Sequence, residues 1–264
     1  MQSLWAGLSG LNASSTWLDT IAGNLSNMNT TGFASEGNSF ADALTRQMSG
    51  QATAPALAGR YTLPGWWAPS GVYATGLESN FSQMSMKSTG VSTDAAIEGN
   101  GFFTVRTPSG ETLLTKAGSF QWSRQANGSF ALATPNGDLV LDTKNQPILA
   151  PSKPTSMTIA QDGQITFGDQ SGSAAVAGPT LQVVDVPVPS QSLIAVSGTN
   201  YAVAPGWKAI PAGQYSVHQG FLNESNVNAT DDLANLVEAQ QMYNLNTESL
   251  KISNQMMGIA NNIL

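Results

Sequence analysis

Two stretches, at opposite ends of the chain, repeat large apolar residues every seven positions. At the start these are Leu4, Leu11, Leu18 and Leu25, with Ile21 and Met28 in the adjoining seam. At the end they are Leu236, Tyr243, Leu250, Met257 and Leu264. A seven-residue repeat on a helix of about 3.6 residues per turn marks a helix that wraps around another helix. The residues three further on in the C-terminal stretch are Ala239, Asn246, Ser253 and Ala260, small or polar, so a neighbouring backbone can come close. A second apolar line follows from Leu245 through Ile252 and Ile259, while Met242, Met256 and Ile263 flank the first. A helix that is apolar on several sides is expected to be surrounded. This chain has few helices to surround it, so the expected neighbours are other copies. At ~1.5 Å per residue the two helices would be roughly 35 and 50 Å long, and neither should be firm without a partner.

Between the ends the pattern changes. The first helix is expected over 3–28, ended by a run of Asn, Thr and Gly in which Gly32 suits a left-handed C-terminal position. Ser39 to Met48 reads as a brief helix or an extended link. Gly50 to Ser79 is rich in Gly, Ala, Pro and Ser and reads as a linker with local extended pieces, holding Trp66 and Trp67 between prolines. From Asp94 to about Val203 the period is two. Turn signals at Pro108-Ser109-Gly110, Asn127-Gly128, Asn136-Gly137 and Asp162-Gly163 separate short Val, Phe, Thr and Leu runs. Expected strands are 102–106, 112–115, 119–123, 129–133, 139–142, 157–160, 164–167, 175–185 and 201–203. The fold class is therefore α+β: long terminal helices pairing as a coiled coil around an inserted antiparallel β domain. The expected segments are an N-terminal helix (1–30), a connecting segment (31–93), the β domain (94–222) and a C-terminal helix (223–264). The first and last strands of the β domain should lie close together, because the helices that leave it must meet.

Composition sharpens this picture. The chain has 264 residues, 41% of them hydrophobic and only 10% charged, well under the roughly 25% charge of typical soluble domains. So little charge protects a surface poorly against association. The net charge is −7 and the 10 Lys and Arg residues are scattered, which leaves no basic patch for nucleic acid. No cysteine is present, so disulfides and thiolate metal sites are excluded. The first cation is Arg46, so no secretory signal peptide is expected. His218 is the single histidine and reads as a hydrogen-bonded structural residue. Asp231-Asp232 reads as a favourable charge at a helix start. Gly99-Asn100-Gly101 leads into a strand, so it is no dinucleotide loop. Nothing here assembles an active site, and no cofactor, metal or small-molecule substrate is expected.

Three separated motifs together resemble one family, the bacterial flagellar rod and hook proteins. The first runs from Leu18 to Phe33, with Asn24, Asn27 and the Thr30-Thr31-Gly32-Phe33 turn. The second runs from Asp94 to Phe103 and resumes at Thr115-Lys116-Ala117-Gly118-Ser119-Phe120. The third is Gln219 to Asn228 followed by Leu236 to Tyr243. Size and layout are most similar to the rod members, the distal rod subunit above all. Ala34-Ser35 stand where the family often has a cation, Lys116 where it often has Arg, and Gln241 where it often has Arg. The resemblance implies a structural subunit, exported through the flagellar type III apparatus and stacked helically into a hollow, torque-transmitting rod of the basal body. Its partners would be copies of itself, adjacent rod or hook proteins, and the export apparatus. The expected assembly interface is Leu4, Leu11, Leu18, Ile21 and Leu25 meeting Leu236, Tyr243, Leu250, Met257 and Leu264. A hook-type subunit, and a soluble coiled-coil and β-domain binding module, are the alternatives.

Overall fold

The computed structural model describes residues 2–42, 45–48, 66–69, 72–125, 128–150, 156–168, 176–205, 210–211 and 215–263. Its helices are α1 (Gln2–Ser26), the single turn α2 (Pro189–Ser192) and α3 (Ala229–Ile263). The chain divides into two compact units: one of 1–25, 36–78 and 229–264, the other of 26–35 and 79–228.

In the first unit α3 touches α1 at two glycines of α1. A side-chain carbon built on Gly7 would lie 3.1 Å from Leu250 Cγ, and one built on Gly10 would lie 3.1 Å from the Asn246 amide. Asn246 also donates to Ser14 Oγ at 3.3 Å. Ala13, Ile21 and Ala239 are buried. The described residues of the unit add four strands: β1 (Ser35–Asp42) pairs with β4 (Val72–Asn80), and β2 (Thr45–Met48) with β3 (Trp66–Pro69). The segment read as a brief helix or extended link is thus strand where it is described. Trp66 and Trp67 belong to an antiparallel pair opposite Met48 and Gln47, rather than to a loop. Most of the Gly/Ala/Pro/Ser-rich stretch lies outside the described residues.

A polar stripe on α1 carries β1. Thr16, Thr20 and Asn24 recur every four residues and so share one helix face. Asn38 donates to Thr20 Oγ1 at 2.8 Å and to the Thr16 carbonyl at 3.3 Å. Asn24 donates to the Glu36 carbonyl and accepts from its N–H, both at 2.9 Å. Trp17 meets Phe40 edge to face, 5.7 Å between ring centres. Burial among these elements raises the Glu36 carboxyl's pKa.

The second unit is antiparallel throughout its strand pairs. Its strands are β5 (Met86–Ser88), β6 (Ala95–Gly99), β7 (Phe102–Arg106), β8 (Thr112–Thr115), β9 (Gln121–Arg124), β10 (Phe130–Ala133), β11 (Leu139–Val140) and β12 (Leu149–Ala150). After these come β13 (Ser156–Ile159), β14 (Gln164–Gly168), β15 (Val176–Thr180), β16 (Val183–Asp185), β17 (Leu193–Ser197), β18 (Asn200–Val203), β19 (Ile210–Pro211), β20 (Tyr215–Gln219) and β21 (Phe221–Asn223). The main sheet runs β12-β10-β11-β7-β8-β18-β17, with β16 paired to β7 and β19, and β9 to β10. The turns at Gly110, Gly137 and Gly163 join β7 to β8, β10 to β11 and β13 to β14, as their sequence predicts. Asn127, of a fourth predicted turn, lies outside the described residues.

Neighbouring residues on three strands divide between two buried clusters. Phe103, Leu113 and Val183 join one, and Phe102, Leu114 and Val184 the other. Side chains alternate faces along a strand, so this part of the sheet is covered on both sides. That is why the sequence reads Phe-Phe, Leu-Leu and Val-Val instead of alternating with polar residues. The run 175–185, expected as one strand, is two. β15 pairs with β14 and β16 with β7, and the chain changes sheets at the buried Leu181. The first and last strands expected, β7 and β18, are separated by β8; the start and end of the β domain lie side by side through two strands the periodicity did not show, β6 and β20, paired from Ala95 opposite Gln219 to Gly99 opposite Tyr215.

Candidate assembly interface

Two sets of residues stand out: the heptad lines of the helices, and the three motifs that flank the β domain. On α1, Ile21 is buried and Leu11, Leu18 and Leu25 are half-buried. Leu4 lies within α1. On α3, Leu236 and Leu250 are half-buried, whereas Tyr243 and Met257 remain exposed. Leu264 lies outside the described residues. Of the expected interface, the structure therefore brings Leu250 against α1, on Gly7, and leaves Tyr243 beside an open concavity of about 580 Å³ lined also by Trp5, Leu8 and Leu11.

A different line on α3 is the more exposed. Met242, Leu245, Ile252, Met256 and Ile259 are between 46% and 70% exposed. With Ser249 they alternate three and four residues apart, which is itself a coiled-coil seam. At about 100° per residue this seam lies roughly 100° around the helix from the one bearing Leu250. The periodicity had shown these residues as a second line. What it could not show was which line meets α1: Leu250 does, while Tyr243 and Met257 of the same line stay exposed. Trp5 and Leu8, also exposed on α1, lay outside the seven-residue repeat and were missed.

At the start of α3, Asp231 and Asp232 occupy the first turn, where carboxylates face the positive end of the helix dipole. Burial raises the Asp232 pKa; a hydrogen bond with Asn24 opposes the rise and Asp231 adds to it.

Parts of the three motifs meet in the second unit. Gly32 has a left-handed backbone with φ of 70°, and its N–H donates to the Asn223 carbonyl at 2.8 Å. A Cβ built on Gly32 would overlap the Ala117 nitrogen, and one on Gly118 would overlap the Ala95 carbonyl oxygen. Asn223 is buried, and its amide closes a reciprocal pair with Ile97: it accepts from the Ile97 N–H at 2.9 Å and donates to its carbonyl at 3.0 Å. Asn226 accepts from the Ser35 N–H at 2.7 Å and donates to the Asn80 carbonyl at 2.7 Å and Ser82 Oγ at 3.0 Å. The asparagine amides act as inserted peptide groups, satisfying backbone that no strand reaches.

Lys116, buried beside this junction, holds its amine 5.3 Å from the centre of the Phe102 ring. Burial lowers its pKa, and Asp185 opposes that effect. His218 Nε2 lies 2.9 Å from Glu98 Oε2, the bland pairing expected of it. No described helix is long and apolar enough to cross a membrane.

Comparison with known proteins gives the same three regions. Residues 4–33 match a family described as flagella basal body rod protein. Residues 96–167 match the flagellar hook protein FlgE/F/G D1 domain, and residues 218–263 the flagellar basal body rod FlgEFG protein C-terminal region. The flagellar basal-body rod protein FlgG of Borreliella burgdorferi is 31% identical over 275 residues, covering 100% of this chain and 98% of its own. That of Buchnera aphidicola from Acyrthosiphon pisum is 31% identical over 270 residues, covering 97% and 96%. That of Bacillus subtilis is 28% identical over 270 residues, covering 97% of each. The chain belongs to the flagellar basal-body rod protein family, and is a structural subunit of the rod rather than an enzyme.

Proposed function

We propose that this subunit polymerises helically into a hollow, torque-transmitting shaft, with its terminal helices paired as an antiparallel coiled coil on the inside and its β domain outside. The residues 1–30 and 223–264 are then the inner helices, 31–93 the connecting segment and 94–222 the outer domain. The observation that carries this reading is the double seam of α3: one apolar line meets α1 of the same chain at Leu250, and the second is exposed among the described residues. Contacts pairing Gly7 with Leu250 and Ser14 with Asn246 run in opposite directions along the two helices, which supports the antiparallel pairing. The exposed seam then takes a helix of another copy. Each Leu or Ile so covered contributes about 1.5–3 kcal/mol. A contact whose rotation does not close generates a filament. Leu11, Leu18, Ile21 and Leu25 with Leu236, Tyr243, Leu250 and Met257, and with Leu4 and Leu264 at the ends, form the inner seam of the assembled state. Neighbouring rod or hook proteins cap the stack, and export proceeds through the flagellar type III apparatus.

Sizing of purified chain at rising concentration tests this. Open-ended growth is the expected result. A fixed oligomer at all concentrations would point to the closed coiled-coil module instead.

A further inference from the structure

We infer that a concavity on the β unit, walled by the turn at 185–190, is a binding site for a neutral glycan. It lies apart from the helices, and the inference does not depend on the rod reading. The cavity holds about 440 Å³, within the range of about 300–1,000 Å³ common to small-molecule sites. Every residue that lines it belongs to the β unit. Its lining joins a rigid apolar wall to a close set of polar side chains.

Pro187, Val188 and Pro189 build the wall. Val188 has a left-handed backbone, with φ of 50° and ψ of 68°, a conformation a β-branched residue rarely adopts. Ser192 Oγ holds the turn by donating to the Pro187 and Val188 carbonyls, both at 2.8 Å. The Gln191 N–H also donates to the Val188 carbonyl, at 3.0 Å. Glycine or asparagine would sit here at less cost. The valine side chain is half exposed, so the fold gains little from its burial. Strain that the fold does not need gathers at sites of function, and here the strained side chain lines the cavity. Phe81, which also lines it, is held edge to face by Phe102 and Tyr201, with ring centres 5.3 and 4.9 Å away. The apolar surface is thus fixed before a ligand arrives, which spares the cost of ordering it.

The polar lining gives the ligand class. Asp185 accepts from the Val186 N–H with one carboxylate oxygen, at 2.8 Å; its other oxygen has no hydrogen-bond partner among the described residues. Asn80 spends its amide carbonyl on the Ser82 N–H at 3.0 Å and keeps its NH₂ to donate. Asn100 is exposed, and its amide has no partner among the described residues. Ser79 and Ser190 add hydroxyls. Donors and acceptors are therefore mixed over a small area, and a ligand that leaves them unmatched gives up their water without return. A pyranose ring carries a hydroxyl, donor and acceptor at once, on most of its carbons, and C–H groups on its faces for the apolar wall. A peptide offers one N–H and one carbonyl per residue, too sparse for this lining. Asp185 is the one charged residue among those lining the cavity, and it interacts with the buried ammonium of Lys116. The site therefore selects a neutral ligand rather than a cation.

Saturation-transfer NMR on the full-length chain tests this with two neutral probes, maltotriose and triacetylchitotriose, which differ in the acetamido group. Transfer to at least one of them is expected, at roughly millimolar affinity. Asn100→Ala removes a side chain that the fold does not use. It should keep the thermal midpoint and weaken binding about three- to tenfold. Val188→Gly relieves the left-handed strain, so it should keep or raise the thermal midpoint, and it should weaken binding at least about threefold. A wall with a structural role alone would leave binding untouched in that variant, and this result would overturn the inference. No transfer to either glycan, or equal transfer in wild type and Asn100→Ala, would overturn it as well; transfer to tetraglycine in their place would mark the cavity as a seat for polypeptide. Each of these outcomes leaves the rod reading standing.

Discussion

Gly32 shows how much one missing side chain decides. Its φ of 70° is costly for any residue with a Cβ, and that Cβ would have to enter the backbone at Ala117. Gly32→Ala should destabilise the β unit by about 2–4 kcal/mol, read as a lower denaturation midpoint with an unchanged slope. Asn223→Ala should cost about 2–4 kcal/mol as well, because it leaves the Ile97 N–H and carbonyl without partners in a buried place. A control at exposed Ser85 should stay within about 0.5 kcal/mol. Lys116 makes a prediction in pH. Its folded-state pKa is lowered from the ordinary 10.5, so below that value the unfolded chain binds more of this proton, and the group's contribution to stability rises with pH. Tyr215 works the other way. Burial first, and then Asp162, raise its pKa above 10.0, so its contribution falls as pH climbs past that value. Comparing wild type with Lys116→Met isolates the lysine. The variant should be the more stable near about pH 8, with its advantage shrinking toward about pH 10 in thermal unfolding.

At the scale of elements, the proposed assembly gives the two seams of α3 different duties, and two substitutions separate them. Ile252→Asp alters the seam left exposed. It should leave monomer helicity and thermal midpoint within experimental error and abolish polymer growth. Leu250→Asp alters the seam against Gly7, so it should lower helicity in the monomer before assembly is tested. If both variants behave alike by circular dichroism and sizing, the division of α3 into inner and outer seams is wrong. α1 is built on the same plan with three faces: an apolar one, a small-residue one at Gly7 and Gly10 for α3, and a Thr16-Thr20-Asn24 stripe for β1.

For the molecule as a whole, the two units differ in what secures them. The β unit encloses two buried clusters and ties its ends together through β6 with β20 and β5 with β21. Among its described residues the helical unit buries few large side chains and leaves a long apolar line in the open. Dilute monomer should therefore show fast amide exchange through α3 and the start of α1, and slow exchange in β6, β7 and β8, with the helices becoming protected on assembly. Strong protection of both termini in dilute monomer would contradict a subunit completed by its neighbours. A charge content of 10% suits the same end, since little charge need be desolvated when copies meet.

The amino-acid sequence by itself determined the kinds of element and their order. A repeat of seven required helices at Leu4–Leu25 and Leu236–Leu264, and a repeat of two broken by Asn-Gly and Asp-Gly required an antiparallel β domain, because these periods are fixed by local backbone geometry. It also located the three motifs, but not their purpose. That Gly32, Ala117 and Asn223 meet, that Asn24 and Asn226 stand in for strands, and that the run 175–185 breaks to serve two sheets are matters of residues far apart in the chain, to which periodicity is blind. Which seam of α3 meets α1 was likewise decided only in the tertiary structure. Both lines have the same period and the same chemistry, and the choice was made by Gly7 and Gly10, whose want of side chains lets α1 approach one of them closely.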